Sequence, residues 1–65
     1  MLGYIARDKN GELYLHKNFP HYEDEYEGWF SDTFCLLNVT NELTEFEDLK
    51  YTDEPVAVEI NIRKI

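Results

Sequence analysis

The sequence predicts a small α+β or mainly β domain: an antiparallel sheet of about four strands with a short helix or long loop packed on it. Three observations lead there. A strong turn signal joins two β-patterned runs near the start, a clean period-two alternation closes the chain, and 65 residues that are 43 % hydrophobic and 15 % aromatic suffice for one core but not two. Residues 1–65 are expected to form a single domain, because a disordered acidic tail would not carry this much apolar side chain.

The first element is a hairpin. Tyr4-Ile5-Ala6-Arg7 and Glu12-Leu13-Tyr14-Leu15-His16 flank Asp8-Lys9-Asn10-Gly11. Asp at the first turn position can bond to the backbone ahead of it, and Gly can take the left-handed conformation that closes a type I turn with a bulge. Asp8 then faces Glu12, Ile5 faces Leu15 and Ala6 faces Tyr14. That register puts Ile5, Leu13 and Leu15 on one face, expected to be the core side, and Tyr4, Ala6, Tyr14 and His16 on the other.

Residues 18–28 lose periodicity, with Pro20 removing a ladder donor and Glu23, Asp24, Glu25 and Glu27 crowding five positions; a solvated loop is expected. Residues 29–39 recover β character through Trp29, Phe30, Thr33, Phe34 and Val39, with a bend or bulge at Ser31-Asp32. Leu43, Phe46 and Leu49 fall three apart behind Thr40 and Asn41, which predicts a short helix capped by one of those two residues, or an irregular loop. Asp53-Glu54-Pro55 then opens the last strand, over 56–63, where Val56, Val58, Ile60 and Ile62 alternate with Ala57, Glu59, Asn61 and Arg63. The expected core is Ile5, Leu15, Leu36 or Leu37, Phe46, Val58 and Ile60, with Trp29 added as an aromatic that a small core would use.

The hairpin run Tyr4-Ile5-Ala6-Arg7-Asp8-Lys9-Asn10-Gly11-Glu12-Leu13-Tyr14-Leu15 and the closing run Asp53-Glu54-Pro55-Val56-Ala57-Val58-Glu59-Ile60 together resemble a group of small proteins of gut bacteria and their phages and mobile elements. About twenty of the 65 positions carry the likeness, and Tyr51 and Phe19-Pro20 stand where that group has Trp and Lys-Pro. The resemblance implies a phage or mobile-element origin. It brings no catalytic residue with it.

The chemistry-bearing residue types exclude more than they suggest. Cys35 is the one cysteine, so no intrachain disulfide framework exists and a reducing, cytoplasmic setting is expected. No apolar run approaches a membrane span and no secretory signal opens the chain, so Asn38-Val39-Thr40 is taken as a chance match to a glycosylation acceptor. His16, His21 and Cys35 lack the close-paired spacing of a zinc site, and neither Asp8-Lys9-Asn10-Gly11 nor residues 23–27 complete a calcium loop; no metal or cofactor is expected. His16 is expected as a strand residue, His21 as a loop residue and Cys35 as a small buried hydrophobe, inert in its apolar run. With no phosphate-cradling glycine loop and no nucleophile beside a base, the chain is not expected to be an enzyme.

Charge is the feature that points toward function. Fourteen acids against six bases give −8, and residues 23–54 hold eleven of those acids and one base, Lys50. Such a field repels nucleic acid and anionic membranes and attracts basic protein surfaces. Tyr22, Tyr26, Trp29 and Phe30 interleave with Glu23, Asp24, Glu25 and Glu27, adding contact area and cation–π partners; Glu45, Glu47 and Asp48 form a second acidic set. The expected partner is the basic surface of a nucleic-acid-handling host protein, with the acids standing in for phosphates, as in an anti-CRISPR-like inhibitor. The alternative is a structural module that self-associates through an edge strand or the Tyr4, Tyr14, His16 face.

Overall fold

In a computed structural model, which describes residues 1–32 and 35–61 and at 35 and 36 the backbone alone, the chain forms two antiparallel sheets. Strands β1 (Leu2–Arg7), β2 (Leu13–His16), β5 (Cys35–Asn38) and β6 (Val56–Glu59) make a four-stranded sheet in the order β5-β2-β1-β6. Strands β3 (His21–Glu23) and β4 (Gly28–Phe30) make a separate two-stranded sheet. One 3-10 turn spans Thr44–Phe46.

The first hairpin has the predicted register, with Ile5 opposite Leu15 and Ala6 opposite Tyr14. Gly11 sits at φ 95°, and its N–H donates to the Asp8 carbonyl at 2.9 Å while Asp8 N–H donates to Glu12 O at 2.8 Å. The side-chain cap differs from expectation. Asn10 Oδ1 accepts from Glu12 N–H, and the Asp8 carboxylate turns away to accept from Trp29 N–H at 3.0 Å. Asp8 is therefore a tie between the two sheets rather than a local turn cap.

Residues 18–28 are not one loop. His21, Tyr22 and Glu23 pair with Phe30, Trp29 and Gly28, so the acidic run is the tip of a second hairpin. Two successive turns close it, Tyr26 N–H to Glu23 O and Glu27 N–H to Asp24 O, with Glu27 in the left-handed region at φ 54°. Glycine would suit that position best, but the glycine is one residue later for another reason. A Cβ on Gly28 would lie 3.0 Å from the Asp8 carboxylate, tighter than ordinary contact, so the carboxylate would have to give way by a few tenths of an ångström. His21, expected in a loop, is accordingly a strand residue.

The core centres on Ile5, Leu13 and Val39, with Leu15, Leu43, Phe46, Leu49 and Val58 half-buried around it. Burying Ile5 and Leu13 contributes about 1.5–3 kcal/mol each. Ala6 and His16 are buried too, at 1 % and 3 % exposure, so the sheet is covered on both faces rather than one. Of the two alternatives Leu36 and Leu37, Leu37 is 57 % exposed; it stands opposite Leu15 on edge strand β5. The Leu36 and Cys35 side chains lie outside the described residues, as do Thr33 and Phe34 and the expected strand positions Ile62 and Arg63.

At the other edge, β6 pairs with β1, and Ile60 N–H extends the ladder by donating to Met1 O at 2.7 Å. Its inner face is only half-buried, because β6 has a neighbour on one side alone and Val56 is 37 % exposed. The predicted helix is reduced to its 3-10 turn. Leu43 occupies the N-cap without a side-chain cap bond, and Thr40 is engaged elsewhere: its hydroxyl accepts from Leu13 N–H and donates to Asn38 Oδ1.

What holds this irregular segment down is Arg7. Its Nε donates to Leu49 O at 2.6 Å, Nη2 to Phe46 O at 2.9 Å and Nη1 to Gly11 O at 2.7 Å. One guanidinium on the central strand thus replaces the bonds a longer helix would have made for itself.

Candidate functional site

The second hairpin brings together most of the residues singled out by charge and aromaticity. Tyr22 and Trp29, opposite each other in the ladder, meet edge to face with ring centroids 5.4 Å apart, and Tyr22 also lies 6.1 Å from the Tyr51 ring. Trp29 donates its indole N–H to Tyr51 O at 3.1 Å. Tyr22 and Trp29 are half-buried and belong to the packing between hairpin and main sheet rather than to a free surface. Desolvation pushes the Tyr22 phenol above its ordinary value, with Lys9 opposing.

Tyr26 is the opposite case. It is 69 % exposed at the tip and packs edge to face on Phe30, itself 44 % exposed, at 5.6 Å. Beside this pair, Asp24 and Glu25 are exposed and make no ion pair among the described residues. Glu23 and Glu27 are engaged. Glu23 Oε1 lies 2.8 Å from His21 Nε2, and Glu27 Oε2 lies 2.7 Å from Lys9 Nζ, which also stands 5.9 Å from the Tyr51 ring centre. The hydrogen bond and charge of Glu27 hold the Lys9 ammonium above its ordinary value.

Asp8 borders this region, and His16 lies near enough to Asp8 for their charges to interact. Burial raises the Asp8 carboxyl above its ordinary value, opposed by the Trp29 N–H bond and by His16. Burial likewise lowers the His16 imidazole, opposed by Asp8. Among the described residues, neither ring nitrogen of His16 has a hydrogen-bond partner.

The second acidic set is elsewhere. Glu45 is in the 3-10 turn, and Glu47 and Asp48 follow it; all three are exposed. Glu47 lines a groove bounded by the 8–11 turn, whereas Tyr26 and Glu27 line a hollow whose other wall is Asp8, Lys9 and Asn10. The first hairpin's turn thus separates the two sets, and the sequence-selected residues other than Tyr22 form two surfaces, not one. Phe30, one of the aromatics that the sequence interleaves with the acids, belongs with the first of them through its contact with Tyr26. Nothing in the sequence marked Arg7, Lys9 and Tyr51 as neighbours.

No protein-family model, curated protein or solved structure matches the chain. No group of three or more His, Cys, Asp or Glu side chains among the described residues could hold a metal ion. No helix among them is long and apolar enough to cross a membrane.

Proposed function

We propose that this chain is a non-enzymatic binding protein that docks the tip of its second hairpin on a basic protein surface. The observation that carries the reading is the exposed Tyr26–Phe30 pair flanked by Asp24 and Glu25. Two aromatic rings left in water at a hairpin tip offer contact area at low entropic cost, and adjacent unpaired carboxylates select cationic partners, arginine above all. The formal charge of −8 steers such a partner in and disfavours nucleic acid.

The finer form of the proposal follows from the resemblance to small proteins of phages and mobile elements. In it the partner is a nucleic-acid-handling protein of the host, and the acids occupy the channel that phosphates would, as in an anti-CRISPR-like inhibitor of a defence nuclease. The test is capture of partners from bacterial lysate on the wild-type chain and on a Tyr26→Ser, Phe30→Ser, Asp24→Asn, Glu25→Gln variant, at low and high salt, with identification by mass spectrometry. A nucleic-acid-binding protein retained by wild type at low salt, and lost with either change, supports the reading. Capture unaffected by the four substitutions refutes it and favours association through the sheet edges β5 and β6.

A further inference from the structure

A groove of about 510 Å³ lies between the 8–11 turn and residues 40–52, with Leu43, Leu49 and Tyr51 among its walls and Arg7, Lys9 and Lys50 among its polar lining. Three of the four basic side chains among the described residues thus gather in one concavity of a chain that carries −8. Arg7 is half-buried, and its hydrogen-bond acceptors are the carbonyl oxygens of Gly11, Phe46 and Leu49; no carboxylate pairs with it among the described residues. Carbonyls satisfy three of the five guanidinium N–H groups but cancel no charge. With fourteen acids in the chain, leaving this cation unpaired is a property of the place.

The acids that line the groove are Asp8 and Glu47. Asp8 has one oxygen on Trp29 N–H and its carboxylate packed under Gly28, and Glu47 is exposed to water. Lys9 is shared with Glu27, while Lys50 makes no ion pair among the described residues. The lining sets three cations against two acids, with Arg7 and Lys50 the cations not in an ion pair among the described residues, and its volume is in the range of small-molecule sites.

We infer that this groove binds a small organic anion. One phosphate or carboxylate group would take the remaining N–H groups of Arg7 and the Lys50 ammonium, with a compact apolar body against Leu43, Leu49 and Tyr51. A planar guanidinium with free N–H groups suits either oxyanion, and the apolar wall distinguishes an organic anion from a bare ion. The site shares Asp8 and Lys9 with the hollow at the hairpin tip but does not depend on the tip's role.

The test is an NMR titration of the full chain with phenyl phosphate, benzoate and inorganic phosphate, each against sodium chloride at matched ionic strength. Saturable shifts at the amides of Gly11, Leu49, Lys50 and Tyr51 are expected with phenyl phosphate or benzoate, and the tighter of the two identifies the head group. Inorganic phosphate is expected to bind about tenfold more weakly than phenyl phosphate, having nothing to place on the apolar wall. Arg7 is unsuitable as the variant because it also anchors the 44–49 segment, so exposed Lys50 is used: Lys50→Gln should weaken binding about threefold or more and Lys50→Arg should restore it. Linear shifts no larger than those with chloride, or wild-type binding by Lys50→Gln, would overturn the inference.

Discussion

Replacing Arg7 with Met keeps most of the apolar stem and deletes three hydrogen bonds at once. Two of the three, to Leu49 O and Phe46 O, are partly buried, and the third, to Gly11 O, is exposed. Bonds from a charged donor contribute about 1.5–3 kcal/mol each when protected; counting the two protected bonds near the lower limit and the exposed one at little gives a loss of about 3 kcal/mol. A chain of 65 residues has a total stability of about 3–10 kcal/mol, so this one side chain accounts for a large fraction of it. In thermal unfolding the loss corresponds to a fall of about 12–24 °C. Urea unfolding followed by the fluorescence of the single Trp29, whose indole N–H bonds to Tyr51 O just beyond the clamped segment, measures the effect directly. Arg7→Lys should recover only a minor part, since an ammonium cannot reach three diverging carbonyls as the fork does. A loss below about 1 kcal/mol for Arg7→Met with an unchanged denaturant slope would refute the clamp.

Leu13→Ala and Ile5→Ala should each cost about 2–5 kcal/mol, enough to unfold much of the population at 37 °C, as circular dichroism would register. Gly28→Ala should loosen the second hairpin, because the new methyl displaces the Asp8 carboxylate from Trp29 N–H; faster hydrogen exchange at Trp29 is the readout. His16 makes stability pH-dependent. Its folded imidazole lies below the ordinary 6.5, so the unfolded chain takes up the proton first, and stability present above that value is lost as pH falls through it. Asp8 acts with the opposite sign lower down, its raised carboxyl making the folded chain gain protons earlier than the unfolded one. His16→Leu should flatten the stability profile just below 6.5, and an unchanged slope there would assign the loss to another group.

The main sheet was legible because its strongest signals are local. The 8–11 turn fixes the register of β1 and β2, and one register places every side chain of both strands. Trp29 and Phe30 of β4 read as extended, but β3 and the pairing of the two were hidden because each strand is three residues long, too short to show a period, and because the acids between them serve as a hairpin tip. Leu37 illustrates a different limit. Its hydrophobicity is real, but exposure depends on whether another element covers the edge of the sheet, which no local pattern contains. The same holds for the clamp and the groove, since Arg7 and Leu49 are 42 residues apart and their bond is a property of the tertiary fold. At the candidate site, the exposed acids and Tyr26 could be read from composition, whereas the loss of Tyr22 to packing could not: it depends on Tyr51 arriving from a distant segment.

The proposed recognition of a basic surface by the hairpin tip is tested most directly by the association rate of a captured partner as a function of ionic strength. The wild-type chain should associate fastest at low salt and slow steeply as the Debye length shrinks below about 10 Å, while Asp24→Asn, Glu25→Gln should be slower at low salt and converge with wild type at high salt. Duplex DNA added in excess should compete for the same partner. An association rate that is indifferent to salt, to the two substitutions and to DNA would contradict the account.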